Sequence, residues 1–158
     1  MKRGTSVHWM TQLEDQGALN YRTVPKALRG YRKCWNDWKK ASGFVPIAIE
    51  YRFIWEDFAG IIDRVGTFPP TTMYPNGSHA IVDLKSGDVQ DWVKCQLAPY
   101  AVAWMQSIKL ARFIRRIAVR VNEDGSPARV KEFTDFDHDF AKFTRAKEKA
   151  HDSHANGG

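Results

Sequence analysis

Between residues 38 and 45 the hydrophobic period of this chain changes, and that change constrains the fold more than any other feature. Ala27, Leu28, Tyr31, Cys34, Trp35 and Trp38 recur at helical spacing and form one apolar stripe. Val45, Ile47, Ile49, Tyr51, Phe53 and Trp55 then alternate with Pro46, Ala48, Glu50, Arg52 and Ile54. A period of two sustained over 45–55 predicts a strand with one well-buried face. The chain must therefore pack helices against a sheet.

The remaining segments extend that pattern. A first helix is expected to begin near Thr5 or Ser6, either of which suits a cap, with Val7, Met10 and Leu13 on one side. The second is expected to begin at Thr23, with Pro25 in its first turn, and to stop at Ser42-Gly43. Glu56-Asp57 reads as a tight turn and 58–66 as the returning strand. TFPPTTMYPNGS is a loop, and 79–85 a third strand. Residues 90–109 read as a helix with Trp92, Cys95, Val102 and Met105 as core positions, kinked or restarted at Pro99. Strands over 113–121 and 129–133 flank the turn NEDGSPA. A last helix follows, capped by Asp137, with Phe140 and Phe143 inward. The order αα-βββ-α-ββ-α defines an α+β domain, an α/β sandwich with a central sheet between helices. Residues 1–150 form one domain, and 151–158 a flexible tail.

Composition permits this without a staple. At 158 residues and 43% hydrophobic content, the chain can bury a sizeable core. No run of about 18 apolar residues is present, so no membrane span is expected. The start, MKRGTSVHWMTQLED, lacks the apolar stretch of a secretory signal. Cys34 and Cys95 would allow one disulfide but read rather as two reduced, buried thiols of a cytosolic protein, and they are too few for a four-cysteine metal site.

Net charge is +6, and it is unevenly spread. Residues 1–43 carry +6, 44–90 carry −3 and 91–158 carry +3. An acidic middle between basic flanks reads either as scattered surface charge or as a carboxylate cluster holding a cation inside a polyanion-binding surface.

Two carboxylates make the second reading concrete. Asp63 sits inside the apolar strand GIIDRV, where a carboxylate is rare unless paired or metal-bound. If its strand neighbours 79–85, Asp63 and Asp83 lie side by side, and a divalent cation relieves their repulsion. The alternative is a carboxylate satisfied by Arg64 or backbone donors. Asp83 and Lys85 project to one side of their strand, either as an ion pair or as a metal ligand beside a charge-stabilising group. About one D-x-K is expected by chance in a chain of this composition, so the pair alone is weak. Gln96 and Tyr100 share a helix face.

The ordered set is more specific than its parts. RGxxVH (Arg3, Gly4, Val7, His8), Glu50 on a strand, GxxD (Gly60, Asp63), DLKSG (Asp83, Lys85, Ser86, Gly87) and QLxxYA (Gln96, Tyr100, Ala101) occur in that order. In this the chain resembles the RecB-type branch of the PD-(D/E)XK nuclease superfamily, over residues 3–104. The resemblance implies a restriction-endonuclease-like core. It implies that His8, Asp63, Asp83 and the backbone carbonyl of Leu84 bind Mg²⁺ or Mn²⁺. Lys85 would position or deprotonate the attacking water. Gln96 and Tyr100 would steady the site or touch the DNA backbone, and Glu50 would support a second cation or hold Lys85. The expected activity is metal-dependent hydrolysis of DNA phosphodiesters by a stand-alone exonuclease, similar to small phage enzymes. It would act on duplex ends or single strands in the cytoplasm of a bacterial or phage-infected cell, alone, as a homo-oligomer or with a partner protein. A structure-specific endonuclease and a silent DNA- or protein-binding module are the rival readings. The iron–sulfur cysteines of some relatives are absent, and Pro99 interrupts QLxxYA.

Overall fold

Val7 and Met10 are buried on α1 (Arg3–Asp15), and Tyr31, Cys34 and Trp35 on α2 (Lys26–Ser42). The same apolar spacing that makes each helix amphipathic turns these faces onto one sheet. In this computed structural model residues 3–109 and 114–155 are described. After a 3₁₀ turn at Tyr21–Thr23 and α2 come β1 (Val45–Trp55), β2 (Phe58–Phe68), β3 (Ser78–Lys85), α3 (Val93–Ser107), β4 (Arg115–Arg120), β5 (Arg129–Glu132) and α4 (Phe136–Ala155). The sheet runs β1-β2-β3-β4-β5, antiparallel except for the parallel pair β3-β4. A parallel pair needs a long crossover, and α3 lies in that connection.

Alternation along the central strands divides the core into two layers. Ala80, Val82, Leu84, Ile117 and Val119 face α1 and α2, where Trp35, Trp38, Phe44 and Phe68 cluster. Ile81 and Ala118 face the opposite way, with Leu97, Tyr100 and Trp104 of α3. Phe140 and Phe143 of α4 close that layer against Trp55 and Phe58. Beneath them a buried Arg116–Asp139 ion pair (2.8 Å) ties β4 to α4.

The element order is as the sequence predicts, and several local expectations are corrected. Helix α1 is already formed at Arg3, so Thr5 and Ser6 lie within it and cap nothing. Thr23 belongs to the 3₁₀ turn, and Pro25 occupies the cap position of α2. Val45 and Ile47 are exposed, because a register shift between Pro46 and Ala48 breaks the alternation of β1. Beyond it Tyr51, Phe53 and Trp55 do pack inward. Trp92 precedes α3 and is exposed, whereas Val93, Leu97, Tyr100 and Trp104 are buried. Cys95, Val102 and Met105 are half-buried. One helix runs through Pro99, which is itself buried. Asp135, not Asp137, caps α4, accepting the His138 N–H at 3.2 Å. Both cysteines are free. Phe113, expected to open the fourth strand, lies outside the described residues. So do 156–158 of the expected tail, the helix itself reaching Ala155. Among the described residues, no helix is long and apolar enough to cross a membrane.

Gly30 of α2 lies against the β4–β5 turn, and a Cβ there would overlap the carbonyl oxygen of Glu123. Gly87, by contrast, has open space around it. Gly30→Ala should therefore cost about 2–3 kcal/mol and lower Tm by roughly 5–10 °C. Gly87→Ala should leave Tm nearly unchanged. Scanning calorimetry of the two variants checks both, and equal melting points would show that the turn simply yields.

Candidate metal centre

The site forms where the β2-β3 ladder stops. Pairing runs from Phe68↔Ser78 to Arg64↔Val82, and the next step would set Asp63 opposite Asp83. Instead, Asp63 Oδ2 accepts the Leu84 N–H at 2.8 Å. A side chain thus takes a strand donor that would otherwise be left unpaired. Three residues earlier, Gly60 lets Phe53 and Tyr100 of the α3-side core pack closely on β2. A Cβ there would come 2.8 Å from Phe53 and 2.9 Å from Tyr100, which explains the glycine of GxxD in steric terms.

Helix α1 brings His8 to Asp63, with Nδ1 3.5 Å from Oδ2. Gly4, one turn before His8, faces Ser86 of DLKSG. Strand β1 supplies Glu50, whose φ of 50° is left-handed inside a strand. Such a conformation is strained for a residue with a Cβ. His8, Glu50 and Asp63 offer ligand atoms that all lie within 4.8 Å of one another. Asp83 sits beside this group and engages Lys85, with Nζ 3.0 Å from Oδ1 and 2.9 Å from Oδ2. The structure therefore draws Glu50 to His8 and Asp63 more tightly than the sequence suggests. The Leu84 contact seen is through its N–H, not its carbonyl. Gln96 donates to Tyr100 Oη at 2.8 Å within α3.

Arg64 is fully buried but does not neutralise the Asp63 carboxylate. Its guanidinium meets Asp15 Oδ2 (2.6 Å), Glu50 Oε1 (3.1 Å), Thr11 Oγ1 (3.2 Å) and the backbone carbonyl of Asp63 (2.6 Å). Asp15 also accepts from Trp35 Nε1 and pairs with Lys39. Asp15 was not apparent as a site residue. Its signal was an acid in the last turn of a helix, where the dipole disfavours negative charge unless it is partnered.

Electrostatics follow from this crowding. Burial pushes the Asp63 and Asp83 carboxyls up to about 6, against the Leu84 N–H for Asp63 and with the Asp63 charge adding to the rise for Asp83. Burial also lowers the His8 pKa, against the pull of Glu50 and Asp83. A neutral imidazole beside carboxylates is a donor set for a hard divalent cation. Asp83 Oδ2 fits that too, being buried without a hydrogen bond of good geometry.

The family model of the PD-(D/E)XK nuclease superfamily matches residues 3–157. This chain belongs to that superfamily, whose proteins are in general nucleases that use divalent metal ions. Comparison with curated proteins gives no match.

Two outcomes follow from the charges. The raised carboxyls stabilise the metal-free fold below pH 4, and that contribution is lost as pH rises through about 6. A cation needs the same groups ionised. The gain in Tm on adding Mn²⁺ should thus be small at pH 5 and larger at pH 7.5. An equal gain at both would place the ion elsewhere. Separately, Asp15→Ala leaves the Arg64 charge undercompensated and should cost about 3 kcal/mol in urea unfolding. A loss well under 1 kcal/mol would show that Glu50 alone suffices.

Proposed function

We propose that this chain is a RecB-type DNA exonuclease that hydrolyses phosphodiester bonds with Mg²⁺ or Mn²⁺. The observation that carries the reading is Asp63 and the Asp83–Lys85 pair meeting His8 and Glu50 where β2 and β3 part. Buried carboxylates facing one another are a liability in a fold and an asset around a cation.

In this reading His8, Asp63, Asp83 and the Leu84 carbonyl hold the metal, and Glu50 joins them. When bound, a divalent cation supplies Lewis acidity toward the phosphate and lowers the pKa of a bound water. The protein's own parts do the rest. Lys85, held by Asp83, presents an ammonium to the reacting phosphate and orients the attacking water. Arg64 holds one oxygen of Glu50 and fixes the direction of its other oxygen. Gln96 and Tyr100 steady the wall against which the DNA backbone rests. The basic flanks of the sequence bind phosphates in a salt-sensitive way. We propose also that residues 1–150 form a single nuclease domain that works in the cytoplasm of a bacterial or phage-infected cell. A second copy or a partner protein would supply processivity.

End-labelled linear duplex, single-stranded and closed circular DNA, each with Mg²⁺, Mn²⁺ or EDTA, test the activity. Loss of linear DNA with intact circles is expected of an exonuclease, and nicked circles would overturn that choice. Asp83→Asn and Lys85→Ala should each lower cleavage by at least about a hundredfold while Tm and DNA binding stay close to wild type. Full activity in both variants would sink the assignment.

A further inference from the structure

Trp92 is a large apolar ring that the core does not use. It is 57% exposed at the start of α3, and Lys85 Nζ lies 5.6 Å from its ring centroid. An exposed indole loses the stabilisation that burial would give it. A cation over its face recovers part of that and also fixes the ring beside the reacting group. Gln96 stands four residues along, on the same helix face. One end of its amide is spent on Tyr100, and Oε1 is buried without a hydrogen-bond partner. Trp92 thus offers a flat apolar surface beside Lys85, while Gln96 Oε1 lies out of reach beneath the surface. An exposed ring next to an ammonium suits a nucleotide, whose base has a π-face and whose backbone carries a phosphate.

We infer that Trp92 is a positioning residue that stacks on an unpaired base next to the phosphate held at Lys85, so that the substrate is a single strand or a frayed end. The inference rests on the nuclease reading above and narrows it. A base inside a duplex already has its faces covered by its neighbours and its edge by its pair. A side chain can stack on it only after it has been released. Trp92 therefore favours strands that are already open beside the cleaved bond. It acts on the position of the phosphate and touches none of the reacting atoms.

The test compares a short labelled single strand with the same strand made abasic. Both are bound in Ca²⁺ and followed by fluorescence anisotropy, with a gel confirming that the strand stays intact. Trp92→Ala should weaken binding of the base-bearing strand on the order of tenfold, with little change for the abasic one. Trp92→Phe should retain most of the wild-type affinity. Because the ring is exposed, both variants should melt with the wild type. In cleavage assays the Trp92→Ala loss should appear in KM for single strands, with the pH profile of kcat unmoved. Equal weakening of both strands, or a shifted pH profile, would mean that the ring serves only to hold Lys85 and would overturn the inference. So would an unchanged affinity for both. If the wild-type chain binds neither strand and cuts no DNA, the nuclease reading itself fails, and that result needs no Trp92 variant.

Discussion

A carboxylate in the wrong place organises this protein. Asp63 stands in a largely apolar strand, next to the buried Arg64, at the point where hydrogen bonding to the next strand ends. Its oxygen takes the Leu84 N–H, so the strands separate without stranding a donor. Beside the gap that results, His8 of α1 and Glu50 of β1 reach Asp63, and Asp83 of β3 sits next to them. Were β2 and β3 paired to their ends, the ladder would occupy that space with backbone.

Support for the gap comes from below. Arg64, the next residue, turns to the opposite side and is enclosed by Asp15, Glu50 and Thr11. Asp15 is in turn held by Trp35 and Lys39 of α2. Five elements' worth of chain is not needed for this network, only α1, α2, β1 and β2. It links the helical layer to the edge strand through one guanidinium. A planar group with donors in fixed directions can brace several oxygens at once, which a lysine ammonium does not do as well.

Element order was legible in the sequence because hydrophobic period is local. It survives even where a single position is misread. The misreadings have two causes. The face of β1 was inverted at Val45 and Ile47 by a register shift that no residue type announces. The phase of α3 was misjudged because apolar residues occur on every side of it, so Trp92 and Val93 look equally suited to the core. The residues that meet where β2 and β3 part, His8, Glu50, Asp63, Asp83 and Lys85, belong to one ordered set in the sequence, with Asp63 the most informative, since a charged group inside GIIDRV demands an explanation. Asp15 and the link from Arg64 to Glu50 were not legible. They depend on which side chains meet across elements distant in sequence, and spacing carries no trace of that.

Glu50 shows what the chain favours when conformation and chemistry disagree. A left-handed residue within a strand costs about 1–3 kcal/mol unless it is glycine. Among the described residues, three non-glycine residues have positive φ: Glu56 and Lys109 lie at a turn and just past a helix end, and Glu50 lies within a strand. Glycine would relax the backbone there and leave Arg64 and His8 facing an empty space. Backbone strain and charge compensation therefore pull in opposite directions at this position. A search for a sturdier version of this chain, guided by melting temperature alone, would weigh a relaxed backbone against an undercompensated guanidinium, and replacing Glu50 would in either case take one carboxylate from the group it forms with His8 and Asp63.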